Sequence, residues 1–448
     1  MTIHKAITKT AAEETLAKQF AALGAHEDER LAAGLALHEK AGLSQPGHGT
    51  IRALRDHREA AFAAFAKSGL PTRRDEAWHY TDLRAAMADA APLAGAPGIE
   101  KIDAAREILA KRGRSGDLRL VLVDGHFAQI LSDAAPAGVL AGALSGSIAG
   151  HPDVMVALNE ALEGQGLVVR LDHGAPKALR VEIVHISSSA APTAIYSRVS
   201  IVLGAQASAD VFETFVGASR ATQRNTVTSL RLGEGARCSL VTVVADEPGL
   251  HVESQIAELA AKAELAAFAL VAGGALVRRQ IFASHSGPGA SIQLGGLTLL
   301  DGARHADTTL VVDHAAPQGK SREFYKHIVA DTGTGVYQGK VIVRPGAQKT
   351  DGGMKSQAIL LSPGAVMNNK PELEIFADDV VCGHGATVGA LDPEQLFYLQ
   401  ARGLPKAAAE AMLLEAFGAE AIERHGDEAL GQALKEIMRG WLARRAAP

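Results

Sequence analysis

The sequence predicts a mainly β fold: a right-handed parallel β-helix core flanked by N-terminal and C-terminal α-helical domains. Three observations carry that expectation. Short apolar runs with period-two alternation recur from about residue 118 to 388, most of them separated by a glycine turn. Apolar residues at three- and four-residue spacing gather at the two ends. Aromatics make up only 4% of the 448 residues while glycine numbers 46, which suits stacked layers of small and β-branched side chains.

At the N-terminal end, residues 11–66 place Leu16, Phe20 and Leu23, and later Ala60, Phe62 and Phe65, at helical spacing with charges between them. Ser44-Gln45-Pro46-Gly47-His48-Gly49 punctuates these helices as a loop, and Gly69-Leu70-Pro71 ends the segment. Trp78 and Tyr80 then sit on a short polar stretch, 72–83. In so aromatic-poor a chain, two rings there are expected to anchor the stretch to the next layer. A helix is expected near 99–111.

The runs 118–123, 167–171, 179–185, 194–203, 210–216, 226–232 and 238–244 read as strands. Around Ile201, Val199, Ile201 and Leu203 alternate with Arg198, Ser200 and Val202, the mark of a strand with one buried face. Residues 256–270 are rich in alanine but flanked by strands, so they are assigned to the same β region, and no helix of 10 to 15 residues is expected to interrupt it. An all-β stretch of roughly 270 residues is long for one sandwich. The tandem six-residue units of a left-handed hexapeptide solenoid are missing. A right-handed parallel β-helix remains, with two packed sandwiches as second choice.

Helix returns at Asp392-Pro393-Glu394-Gln395, which supplies an N-cap, proline at N1 and glutamine at N3. Gly403 closes that helix and Leu404-Pro405 opens the next, whose Ala409, Met412, Leu413, Ala416 and Phe417 form one apolar stripe before Gly418. A last helix is expected over about 427–445. These helices should lie outside the solenoid, to cap it or dock a partner. The expected domains are residues 1–112, 113–390 and 391–448.

Charge and cysteine content narrow the function. A formal net charge of −5 gives no global attraction to nucleic acid or to an anionic membrane surface. Cys238 and Cys382 are the only thiols, too few for a disulfide framework or for a four-thiolate iron–sulfur cluster held by this chain alone. A reducing cytoplasm fits best. Residues 1–20 lack an apolar h-region, so no secretory signal is expected. The longest apolar run, 265–277, is thirteen residues broken by two glycines, too short to span a bilayer.

Several enzyme motifs fail on spacing. The segment 314–321 ends like a phosphate-binding loop, but His314 stands where the first glycine must turn the chain. The glycines at 383–389 and 333–339 are one residue too widely spaced for a dinucleotide fingerprint. The segment 38–42 lacks the second histidine of a zincin helix, and no Gly-x-Ser-x-Gly elbow occurs.

Two groups of ligand-type residues remain. His305, Asp307, Asp313, His314 and His327 include good metal donors, but nothing in their spacing forces convergence, and they are expected to be solvated or hydrogen-bonded. Cys382 and His384 are sharper. On a strand both leave one face with Cα atoms roughly 6.5 Å apart, so sulfur and imidazole nitrogen can meet one metal. Zinc or iron wants about four such ligands, and the simplest source of the missing two is a second polypeptide. On the motif alone, a buried cysteine beside a hydrogen-bonded imidazole is the simpler alternative. Cys238 reads as core, and Asp378 and Asp379 as turn residues.

The C-terminal third resembles the SufB/SufD family of iron–sulfur cluster assembly proteins, and its SufD side most. The matching residues are Val312-Asp313-His314-Ala315-Ala316-Pro317 with Ser321-Arg322, the run from Tyr337-Gln338-Gly339-Lys340 to Lys349-Thr350-Asp351, Leu360-Leu361-Ser362, and Lys370-Pro371-Glu372-Leu373-Glu374-Ile375. They continue with Ala377-Asp378-Asp379, Cys382-Gly383-His384-Gly385-Ala386-Thr387-Val388-Gly389, Leu396-Phe397-Tyr398-Leu399 and Arg402-Gly403. Upstream, Glu76-Ala77-Trp78-His79-Tyr80-Thr81 looks like the Glu-x-Trp-x-Tyr-Thr signature of SufD chains.

The resemblance implies a β-helix between helical ends and a scaffold that is not itself an enzyme. It implies pairing with a SufB-like paralogue through the β-helix and with a SufC-type ATPase through the C-terminal helices, and leaves a homodimer open for the isolated chain. The complex would build nascent clusters and pass them on, the cluster being transient, shared with a partner chain and not held stably by this chain alone. Cys382 and His384 fall on the family's positions at the paralogue interface, His384 being the favoured ligand. The competing readings are a standalone β-helix enzyme acting on polysaccharide and a zinc-stabilised adaptor.

Overall fold

Strands whose alternate residues are small and apolar can stack in parallel only if each return passes through a second sheet, and the chain adopts that solution. The protein is described by a computed structural model covering residues 9–23, 40, 51–144, 151–176, 179–217, 219–246 and 248–446. In chain order the strands are β1 (Leu118–Val123), β2 (His126–Phe127), β3 (Val139–Leu144), β4 (Gly166–Leu171), β5 (Arg180–Ser187), β6 (Thr193–Leu203), β7 (Ser208–Gly217), β8 (Thr222–Leu232), β9 (Arg237–Asp246) and β10 (Leu250–Leu259). They continue as β11 (Glu264–Val271), β12 (Leu276–His285), β13 (Ser291–Leu300), β14 (His305–His314), β15 (Lys320–Val329), β16 (Thr334–Val343), β17 (Asp351–Leu360), β18 (Val366–Ile375) and β19 (Val381–Gly389).

From β4 onward the strands alternate between two sheets, and each pairs in parallel with the strand two further along. The result is a β-solenoid of about eight turns with helices at both termini. One coil takes 26 residues from Leu250 to Leu276 but 32 from Thr334 to Val366. That drift hides the repeat from a fixed-period reading of the sequence. Residues 256–270 are indeed β, split between β10 and β11. Leu240, Leu265, Ile292 and Val312 stack with their neighbours into a continuous interior core.

The helices are α1 (Ala11–Leu23), α2 (Ile51–Ser68), α3 (Leu83–Ala86), α4 (Ile99–Lys111), α5 (Val154–Leu162), α6 (Pro393–Ala401), α7 (Lys406–Glu423) and α8 (Glu428–Ala446). The loop read at 44–49 lies outside the described residues, as does the 38–42 segment apart from Lys40. Helix α5 lies within the β region, between β3 and β4, and is shorter than the 10- to 15-residue helix that the sequence argues against. It is nine residues long and buried from Met155 to Leu162, and the Asp153 carboxylate caps it by accepting from the amides of Met155 and Val156. A helix buried all round has no polar face to mark its period.

The C-terminal helices lie outside the solenoid as expected, and both terminal sets pack along its flanks. Helices α1 and α2 bury Leu16 and Phe65 in a cluster with α5 and with Tyr196 and Val252 of one sheet. Helices α7 and α8 bury Leu414, Ile422 and Trp441 against Leu297, Leu299 and Phe324 of the other. Gly418 does not stop α7, which continues to Glu423; a β-carbon there would meet Met438 Sδ at 2.5 Å, so this glycine is a packing contact. The ammonium of Lys326 fastens α7 to β15, paired with Glu420 and 4.0 Å from the Phe417 ring centroid.

The short polar stretch does dock on the solenoid, through Trp78 and Thr81. The Trp78 ring is buried beneath the Arg278 guanidinium, 4.4 Å away. Arg278 pairs with Asp307 and donates to the Ala77 carbonyl at 2.7 Å. The Thr81 hydroxyl donates to Asp307 and sits 2.8 Å from His305 Nε2. Tyr80 is only half-buried, its ring edge-on to His79. Arg278 and Asp307 are fully buried, and a hydrogen bond to such a charged group contributes about 1.5–3 kcal/mol. Thr81→Val should therefore lower unfolding free energy by about 2 kcal/mol, read from the shift of the denaturant midpoint. An unchanged midpoint would mean that Trp78 alone holds the stretch.

Candidate functional site

The last coil ends the solenoid with two edge strands, β18 on one sheet and β19 on the other, each paired on one side only. On β17 the buried residues Gly352, Met354, Ser356 and Ala358 alternate with more exposed ones, which fixes the inward face. The parallel register lays Cys382 over Gly352 and His384 over Met354. Cys382, His384, Ala386 and Val388 therefore take inward positions, but no further coil covers them, and the interior opens there as a mouth.

Cys382 is half-buried and packs against the core with Met367, Leu373 and Val380, while His384 is exposed. Burial pushes the Cys382 thiol above its ordinary value, and the nearby carboxyls of Asp351 and Glu323 add to the shift. The sulfur is thus held as the thiol at neutral pH. Beneath this pair, two coils further in, Ser321 and Glu323 occupy the same columns on β15. Glu323 is buried with neither carboxyl oxygen hydrogen-bonded, and burial pushes its pKa up to about 8.

The other candidates have structural roles. His305 and Asp307 belong to the Trp78–Thr81 docking site, and Asp313 pairs with Arg344. His314 Nε2 meets the Ser321 hydroxyl at 3.1 Å while its ring stacks on His285 at 4.1 Å. His327 departs from the expectation of a solvated or hydrogen-bonded group: it is fully enclosed with neither ring nitrogen hydrogen-bonded, and burial lowers its pKa to about 3. Cys238 lies in the core, where burial pushes its thiol up to about 12. Asp379 pairs with Lys349 beside the bend that leads into β19. Among the described residues no group of three or more His, Cys, Asp or Glu could hold a metal ion, so Cys382 and His384 stand as a pair.

Met354 and Glu323 were not legible as neighbours of the site. Both precede it by about one or two coils in sequence, and only the register aligns them with it. The apolar surface is also uneven. Of ten large apolar residues left exposed among the described residues, eight fall between Val366 and Met412. They include Ile375, Phe376, Val381 and Val388 on or beside the last coil, and Phe397 and Tyr398 on α6. Helix α6 has no buried residue at all, although Asp392 caps it well through the amides of Glu394 and Gln395. A capped helix with no fully buried residue, beside an open coil end, leaves an unusual amount of apolar surface in solvent. Among the described residues no helix is long and apolar enough to cross a membrane.

Comparison with known proteins gives the same region a family. The family model described as the SUF system FeS cluster assembly, SufBD core domain, matches residues 185–417, and that for the SufBD protein N-terminal region matches residues 46–93. The chain is 30% identical to the iron–sulfur cluster assembly protein SufD of Escherichia coli over 82% of its length and 88% of that protein. It is 26% identical to an iron–sulfur cluster assembly SufBD family protein of Synechocystis over 82% of its length and 86% of the relative. A shorter match, 34% identical over 27% of this chain and 28% of the relative, is to SufD of Bacillus subtilis.

Proposed function

This chain belongs to the SufBD family of iron–sulfur cluster assembly proteins and is SufD-like, and from that premise we propose that it is a non-catalytic scaffold that shares a nascent cluster with a paralogous chain. In this reading the cluster is cargo. His384 and Cys382 offer two ligands at the open coil end, and the SufB-like partner offers the rest. What supports the division is the donor set itself: one imidazole and one thiol, with no third acid, imidazole or thiol grouped with them among the described residues. Iron in a cluster takes about four ligands, so a two-ligand half-site holds nothing alone.

Sharing also makes transfer physically simple. A cluster bridged across two chains loses half its protein ligands when the chains part. The uncovered end of the solenoid supports the paralogue contact, through the free edges of β18 and β19 and the apolar side chains around them. Helix α6, with Phe397 and Tyr398 turned to solvent, supports a separate contact with a SufC-type ATPase. A pull on the C-terminal helices would reach β15 through the pair of buried Lys326 with exposed Glu420, and β15 carries the interior columns under Cys382 and His384. Both cysteines are free, in keeping with a reducing cytoplasm.

The test is co-expression with a SufB-like chain and a SufC-type ATPase, then anaerobic supply of iron and sulfide. Cluster absorbance is expected on the purified complex and not on this chain alone. A stable cluster on the isolated chain would overturn the shared site. One tightly held zinc per isolated chain would favour a metal-stabilised adaptor instead.

A further inference from the structure

The mouth of the solenoid carries more sulfur than a shared iron site needs. Met354 is the direct register partner of His384 and lies on the same inward face. Cys382 is two residues from His384 along β19. Strand geometry sets the three α-carbons about 6.5 Å apart along the strand and about 4.8 Å apart across it, a right-angled triangle open to solvent on one side. The Met354 thioether lies in a niche left by Gly339: a β-carbon there would stand 2.3 Å from Sδ and 2.8 Å from the Tyr337 hydroxyl. Across the mouth Met367 Sδ fills the corresponding space over Gly335. The interior end of the mouth is also polar without partners, since the Tyr337 hydroxyl and both Glu323 oxygens are buried and unbonded. Burial keeps both groups protonated at neutral pH, so what the mouth offers an ion is the side-chain donors at its rim.

Which cation follows from donor number and softness. Zinc and ferrous iron want about four nitrogen, oxygen or thiolate ligands and gain little from a thioether. A monovalent d10 ion is satisfied by two or three soft donors, and thiolate with thioether is the set that selects Cu(I). The geometry points to a second use of the opening: Cys382, His384 and Met354 form a three-donor cup for one Cu(I) ion in the isolated chain. This rests on the reading of Cys382 and His384 as the ligand pair. Binding moves one proton from the Cys382 thiol to solvent and leaves copper in the +1 state, so no electron is transferred. Met354 reaches the cup by rotating its three flexible bonds out of the Gly339 niche. Because the ion takes both cluster ligands, copper and cluster exclude one another, and copper acts as a competitive inhibitor of the scaffold.

The experiment is an anaerobic titration of the full-length chain with the Cu(I)–acetonitrile complex against the chelator bicinchoninate. One ion per chain is expected to resist the chelator. Cys382→Ser should weaken affinity about 100-fold, and the volume-conserving Met354→Leu about tenfold. A Met354→Leu affinity within about twofold of the parent, or no copper retained by the parent, would overturn the proposal. X-ray absorption at the copper edge decides it without any variant: two sulfur neighbours support the cup and one sulfur overturns it. Neither readout involves iron, sulfide or a partner chain, so a failure of cluster build-up in the complex is a separate result.

Discussion

His384→Ala should abolish cluster build-up on the complex while leaving the complex itself assembled. The ring is exposed on the terminal strand, so its loss opens no cavity, and surface changes of this kind usually shift stability by less than about 0.5 kcal/mol. The contacts proposed to hold the partners are the backbone edges of β18 and β19 and the apolar side chains of the last coil and α6, and the substitution removes none of these. What the substitution removes is one of two donors in a half-site that has no spare ligand of its own among the described residues. The expected result is a normal co-purification profile with cluster absorbance near background after anaerobic iron and sulfide supply. Cys382→Ser is a graded companion: the sulfur is half-buried against the core, so its replacement should lower cluster yield and also cost some stability. A full cluster yield from the His384 variant would remove that residue as a ligand.

How far the sequence could lead is clearest from the residues on which it succeeded and those on which it stopped. The period-two rule located the strand around Ile201 but not its burial, since Arg198, Ser200 and Val202 on the face read as exposed are buried as well; on β19 the same rule sets Cys382 and His384 on one face. Local capping chemistry did as well, since Asp392 and Pro393 open α6 as expected. Both are short-range facts. The neighbours of the site come from coil stacking, in which Glu323, Met354 and His384 align although they are about 30 residues apart in succession. With coil lengths drifting between 26 and 32 residues, no fixed offset reveals that column. On α7 the helix is where it was expected but its buried face is not: of the stripe read from Ala409 to Phe417, Met412 and Ala416 are exposed, and it is Ala409, Leu414, Gly418, Ala421 and Ile422 that are buried, with Leu414 and Ile422 against Leu297 and Phe324 of the solenoid flank. Tyr80 and Thr81 show the limit in miniature, because composition favoured the larger ring while the buried charge of Asp307 selected the hydroxyl.

Glu323→Gln should make the protein more stable, and increasingly so as pH rises. Burial raises the folded-state pKa of this carboxyl to about 8, against an ordinary value near 4.5. Between those values the folded chain keeps a proton that the unfolded chain has released, so stability falls as pH rises through the window and is recovered below it. At about 1.4 kcal/mol per pH unit, the penalty reaches about 5 kcal/mol by pH 8, of which about 2 kcal/mol accrues above pH 6.5. The upper part of that window is clean, because the buried histidines act with the opposite sign and lower down. Burial lowers His285 to about 4 and His314 and His327 to about 3, so their unfolded forms bind the extra proton and stability is lost only as pH falls below about 6.5. Glutamine has the same shape and no charge to desolvate. Denaturant midpoints should then be similar for the two proteins at pH 5 and separate steadily to pH 8, with the variant higher. Parallel pH profiles would show that Glu323 is already neutralised by a group or a bound cation in the folded chain, and a carboxyl two columns' depth below Cys382 and His384 would then be part of the metal chemistry of the mouth.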